Sequence, residues 1–131
     1  MPDTTILVAE DNPLSAELMH DHLESLGYAV EHATDGVQAV EMASSGRFQL
    51  LILDVNMPGY DGVQVMQHLR ARSDRATHTL KVIVVTADRL ATRREELAIA
   101  GIDGYLTKPL DLQRLTGEVN RVLSQAGTGG R

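Results

Sequence analysis

Two short runs in this sequence carry no polar side chain until they end in acid. Leu50-Leu51-Ile52-Leu53 stops at Asp54, and Ile6-Leu7-Val8-Ala9 runs into Glu10-Asp11. A strand with one face in water alternates apolar and polar residues. An unbroken apolar run instead belongs to a strand covered on both faces, as in parallel sheets. A carboxylate cannot lie deep in such a sheet without a partner. Its natural place is the carboxyl edge, where open α/β proteins keep their ligands. Three acids, Glu10, Asp11 and Asp54, are therefore expected at strand ends, which points to a divalent-metal site.

The rest of the chain repeats the same alternation. Strands are expected at Thr5–Glu10, Ala29–Ala33, Phe48–Asp54, Lys81–Thr86 and Gly104–Thr107. Helical patterns lie between them. The first opens with Asn12 as N-cap and Pro13 at the first helical position, places Leu14, Leu18, Met19, Leu23 and Leu26 along one side, and stops at Gly27. A second spans Gly36–Ser44, and a third follows Asp61-Gly62 and buries Val65, Met66 and Leu69. A fourth begins with the capping-box pattern Thr92-x-x-Glu95 and ends at Gly101. The last has Leu112, Leu115, Val119, Val122 and Leu123 on one stripe. Five strand–helix repeats imply a doubly wound α/β domain, a five-stranded parallel sheet with helices on both faces and right-handed crossovers. The domain is expected over 4–125, with 126–131, which holds Gly127-Thr128-Gly129-Gly130, as a flexible tail.

Composition narrows the function. The 131 residues suit one domain, and a chain of this size buries about 65–70% of its unfolded surface without help from disulfides. Cysteine is absent, which removes thiol chemistry and zinc–thiolate sites. A net charge of −6 and only four aromatic residues, three Tyr and one Phe, argue against nucleic-acid binding. Apolar runs are too short to cross a membrane and no signal peptide opens the chain, so a cytoplasmic protein is expected.

The chemistry follows from what the strand ends carry. With strands one and three as neighbours, Glu10, Asp11 and Asp54 converge, and a hard cation relieves their repulsion; oxygen-only ligands suit Mg²⁺. Strand four brings a hydroxyl, Thr86, and strand five an ammonium, Lys108, to the same edge. Metal site, hydroxyl, ammonium and carboxylate together suggest phosphoryl transfer to Asp54. Taken singly each residue has a plainer role: Glu10-Asp11 as a helix cap, Thr86 as a strand-end hydroxyl, Lys108 as a solvated lysine, Tyr105 as a half-buried strand aromatic. The five histidines (His20, His22, His32, His68 and His78) show no ligand spacing and read as surface or packing residues.

These motifs in register resemble the receiver domain of a two-component response regulator of the chemotaxis single-domain type. The matching residues are Glu10-Asp11, Asp54 followed by Met57-Pro58 and Asp61-Gly62, Thr86-Ala87 and Lys108-Pro109. The resemblance implies a flavodoxin-like (βα)5 fold with strand order 2-1-3-4-5. It implies Asp54 as phosphoacceptor from a histidine kinase or histidine phosphotransfer protein. Mg²⁺ would be held by Asp11, Asp54 and the main-chain carbonyl of Asn56, with Glu10 assisting through water. Thr86 and Lys108 would bind the phosphoryl oxygens, and small Ala87 would leave room for them. The Lys108–Pro109 peptide would be cis, and Tyr105 would be the switch aromatic. Phosphorylation would then reshape the face made by the fourth helix, fifth strand and fifth helix toward a downstream protein. Asn56 and Asp88 occupy positions that tune the phosphoryl lifetime.

Rival functions fit less well. A phosphatase of the haloacid dehalogenase type wants a second aspartate where Asn56 stands. A flavodoxin wants a phosphate loop and flanking aromatics, and the chain has no P-loop motif. The expectation is a signalling switch rather than an enzyme, cytoplasmic, monomeric or weakly dimeric, with no nucleic-acid or membrane partner. A stand-alone regulator starting at Met1 is expected. The alternatives are a receiver excised from a hybrid kinase or multi-domain regulator, and a phosphorylation-independent module of the same fold.

Overall fold

The computed structural model describes residues 4–55, 57, 59, 61–71, 80–86 and 101–129, with side chains as far as Ser124. Among these residues nine elements follow in order: β1 (Thr5–Ala9), α1 (Pro13–Ser25), β2 (Ala29–Ala33), α2 (Gly36–Ala43), β3 (Leu50–Asp54), α3 (Gly62–Arg70), β4 (Lys81–Thr86), β5 (Gly104–Thr107) and α4 (Leu112–Gly129). The strands form one parallel sheet in the order β2-β1-β3-β4-β5. The expected fold is therefore the observed one. The fourth helical stretch of the sequence, with Thr92-x-x-Glu95, lies outside the described residues. The last stretch is α4 here.

Alternation along the strands divides the core into two layers. Leu7, Leu51, Leu53, Val82 and Val84 face α2 and α3 and meet Ala39, Ala43, Val65, Met66 and Leu69. Their chain neighbours Ile6, Val8, Leu50, Ile52, Ile83 and Val85 face the other way and meet Met19 and Leu23 of α1 and Leu115, Val119 and Val122 of α4. That is why β1, β3 and β4 read as continuous apolar runs. β2, at the edge, is only half-buried until Ala33.

Helix starts are capped by side chains that take up otherwise unpaired main-chain donors. Asn12 Oδ1 accepts from the N–H of Leu14 and Ser15 at 3.0 and 3.1 Å. Asp35 Oδ1 accepts from Gln38 N at 2.8 Å, and Asp111 Oδ1 from Gln113 N at 2.8 Å. A reciprocal capping box appears at Asp61 and Gln64, where it starts α3. Gly27 then ends α1 with φ of 98°, a conformation favouring glycine.

The buried side of α1 differs from the expected one. Leu14, Leu18 and Leu26 are exposed by 77%, 49% and 41%, while Ala16, Met19 and Leu23 face the sheet. At about 100° per residue, Leu14 and Leu18 lie on the side opposite Ala16 and Leu23. The buried stripe therefore runs 16–19–23. At the other end, helical backbone continues to Gly129, into the stretch read as a tail. Each glycine disfavours a helix interior by only about 1 kcal/mol and does not forbid it.

Candidate functional site

The carboxyl edge of the sheet gathers the chemistry. β1 ends at Ala9 and delivers Glu10 and Asp11; β3 and β4 end on Asp54 and Thr86; β5 delivers Lys108. The two-residue period decides which of these meet. Counting from Val8, Ile52 and Leu106, which share one layer, Glu10, Asp54 and Lys108 project to the same side. They are in contact: Lys108 Nζ lies 3.2 Å from Asp54 Oδ2 and 3.3 Å from Glu10 Oε1. Thr86 continues the Val82–Val84 series of the opposite layer, and its main-chain oxygen accepts from Lys108 N at 2.8 Å.

Burial makes the cluster electrostatically tense. Glu10 and Asp54 are 1% and 3% exposed, whereas Asp11 faces solvent. The three acids each bring a carboxylate oxygen within 4.8 Å of the others. Burial pushes the Glu10 carboxyl up to about 7, and the adjacent Asp54 carboxylate pushes it the same way. The Asn12 N–H, 3.3 Å from Glu10 Oε2, and the Lys108 ammonium pull it back only in part. For Lys108, burial alone would lower the pKa; the attraction of Asp54 and then Glu10 exceeds it, and the net shift is upward.

A divalent cation fits this donor set. Glu10 Oε1 is buried and faces the Lys108 ammonium at 3.3 Å, but their alignment does not make a hydrogen bond. Among the described residues, three carboxylates stand against one ammonium, leaving excess negative charge. Opposite oxygens of an octahedral Mg²⁺ are about 4.2 Å apart, so small side-chain movements or one bridging water would close the cluster on the ion. The site is open to solvent: a cleft of about 300 Å³ beside it is walled by Leu18, Met19, Lys108, Pro109 and Leu110.

Of the other expected site residues, Tyr105 is half-buried on β5, and its N–H donates to Glu118 Oε2 at 3.3 Å. The Lys108–Pro109 peptide is cis. Asn56 and Ala87 lie outside the described residues. Sequence reasoning missed one participant, His32, whose Nε2 lies 2.7 Å from the main-chain oxygen of Glu10. Its signal was the parallel register, which pairs Val8 with His32 and so puts the ring two residues behind Glu10.

Comparison with known proteins agrees with this geometry. The model of the response regulator receiver domain family matches residues 6–120. Sensor histidine kinase RcsC of Escherichia coli K12 is 39% identical over 110 residues, 84% of this chain and 11% of RcsC. The transcriptional regulatory protein TctD of Salmonella typhimurium LT2 is 36% identical over 121 residues, 92% of this chain and 52% of TctD. The chain thus spans about half of TctD and about a tenth of RcsC. Among solved structures, the receiver domain of sensor histidine kinase PA1611 from Pseudomonas aeruginosa superposes with a TM-score of 0.83 at 32% identity, covering 92% of this chain and 98% of that one. That crystal structure holds a magnesium ion coordinated in its active-site cleft.

Proposed function

Because this chain belongs to the response regulator receiver domains, we propose that it accepts a phosphoryl group on Asp54 and works as a phosphorylation switch in a cytoplasmic two-component relay. The observation that carries the reading is the Glu10–Asp11–Asp54 cluster with Lys108 set between two of its carboxylates. The donor is the phosphohistidine of a kinase or of a histidine phosphotransfer protein. An Asp54 carboxylate oxygen attacks phosphorus, the P–N bond breaks, and the imidazole leaves with the electron pair. Asp54 becomes an acyl phosphate.

Asp11, Asp54 and the Asn56 carbonyl would hold Mg²⁺, with Glu10 assisting. The ion, when bound, neutralises charge on Asp54 and on the incoming phosphoryl oxygens. Lys108 releases Asp54 Oδ2 and pairs with a phosphoryl oxygen as a compact point charge. Thr86 supplies a hydroxyl to another oxygen, and Ala87 leaves space for it. With Thr86 drawn toward the phosphoryl group, Tyr105 turns inward and changes the face that β5 and α4 present to a downstream protein. Beyond this self-directed phosphoryl transfer and hydrolysis the protein is a switch and not an enzyme.

Intact mass after incubation with acetyl phosphate tests the reading, with and without Mg²⁺, on wild type and Asp54→Asn. One added phosphoryl group that requires both Mg²⁺ and Asp54 is expected. No adduct under any condition, with beryllofluoride also failing to bind, would move the chain to the phosphorylation-independent class.

A further inference from the structure

We propose that His32 is a positioning residue for the carboxylate site, holding the exit of β1 so that Glu10 and Asp11 are presented together. The inference rests on the metal-dependent reading above and adds to it a residue from the edge strand. Pairing of β1 with β2 ends at Ala9 and Ala33. One more main-chain bond follows, from Glu10 N to Ala33 O at 3.0 Å. A continued ladder would next offer a main-chain donor to the Glu10 carbonyl. After Ala33, however, the chain turns away toward Asp35, the cap of α2. No main-chain N–H among the described residues reaches Glu10 O. The His32 ring takes that place, with Nε2 at 2.7 Å.

The chemistry of the pair fixes the tautomer. A carbonyl oxygen only accepts, so Nε2 is the donor and carries the proton. His32 borders a surface depression of about 280 Å³ together with Glu17, His20 and Asp21, where water can reach the ring. The hydrogen bond matters because the Glu10 carbonyl belongs to the planar peptide that leads into Asp11. Fixing that oxygen, with Glu10 N already fixed, sets the direction in which the chain enters Asp11. Among the described residues, the Asp11 carboxylate makes no hydrogen bond or ion pair of its own. Its placement within 4.8 Å of Glu10 and Asp54 therefore depends on the main chain that His32 holds. Partners of this kind, one step behind a ligand, typically alter metal affinity by about 10–100-fold when removed.

The test is a Mg²⁺ titration followed by amide NMR on wild type, His32→Leu and His32→Gln, with urea unfolding of each protein in EDTA. His32→Leu should weaken Mg²⁺ binding about tenfold. His32→Gln, whose amide reaches the same carbonyl, should restore most of it. Unchanged Mg²⁺ affinity in a folded His32→Leu protein, whatever its urea midpoint, overturns the positioning role and leaves the receiver reading standing. Failure of the wild type to bind Mg²⁺ overturns both. Should His32→Leu not fold, the ¹⁵N spectrum of wild-type His32 decides: a proton on Nε2 is required, and one on Nδ1 alone refutes the inference.

Discussion

Glu10→Gln gives the most direct test of the tension in the acidic cluster. In the folded protein the Glu10 carboxyl is pushed up to about 7 from an ordinary value of 4.5. A carboxyl whose folded pKa is raised adds stability at low pH, and that contribution disappears as pH rises through the folded value. At about 1.36 kcal/mol per pH unit, the whole effect is roughly 3 kcal/mol, of which about 2 kcal/mol falls between pH 5.5 and 8.5. Glu10 is 1% exposed, so solvent does little to screen it. Gln keeps the shape and cannot ionise. Urea unfolding of both proteins in EDTA, at pH 5.5 and 8.5, isolates Glu10 together with its coupling to Asp54 and Lys108, because titrations elsewhere in the chain are common to the two. The wild type should lose about 2 kcal/mol relative to the variant, or roughly 1 M in urea midpoint. Mg²⁺ at pH 8.5 should restore the wild type, by about 2.7 kcal/mol at a hundredfold excess over Kd. Parallel pH dependence in the two proteins would refute the argument, since Glu10 could not then be the strained group.

Other expectations follow from the same geometry. Mg²⁺ affinity, measured by calorimetry, should fall as pH drops through about 7, because protonation of Glu10 competes with the cation. Lys108→Ala should still bind Mg²⁺ but fail to couple phosphorylation to the β5–α4 face; normal phosphorylation-induced amide shifts in that variant would remove the role assigned to Lys108. Gly62→Ala should destabilise the protein by about 1–3 kcal/mol in urea, because an added Cβ would stand 2.9 Å from Val55 Cα, one residue beyond Asp54. Arg70→Met should lower the urea midpoint. The change strands the Leu80 and Gly101 carbonyls, which Arg70 now reaches at 2.9 and 2.8 Å, at about 1–3 kcal/mol for each that stays buried.

The sheet was legible because its signal is strong and local. Apolar runs in β1, β3 and β4 announce burial on both faces, and strand ends at Asp54 and Thr86 coincide with the ends of those runs. Convergence of Glu10, Asp11 and Asp54, with Thr86 and Lys108 at the same edge, was expected from the strand ends. The full strand order came with the family resemblance, and the contact of Lys108 with Glu10 and Asp54 only with the structure. The orientation of α1 was not legible, since Leu14 and Leu18 fit a helical stripe as well as Met19 and Leu23 do. Only the packing of Met19 and Leu23 against the strands selects the face. The reciprocal box at Asp61 and Gln64 escaped notice because aspartate replaces the Ser or Thr of the usual pattern. His32 was passed over because metal-ligand spacing within one element was sought, and its partner is a main-chain atom on the neighbouring strand. Side chain to main chain bonds between strands leave no spacing rule to find.

The two-layered core has a consequence for how relatives of this chain can drift. Ile52 touches the layer of Leu23 and Val119, while Leu51, its chain neighbour, touches that of Val65 and Leu69. A larger side chain at position 52 is best accommodated by a smaller one at 23 or 119, and trimming Leu69 does nothing for it. Compensating substitutions should accordingly fall into two sets that interleave along each strand yet seldom correlate with each other. In aligned receiver sequences, positions 6, 8, 50, 52, 83 and 85 should covary with α1 and α4. Positions 7, 51, 53, 82 and 84 should follow α2 and α3.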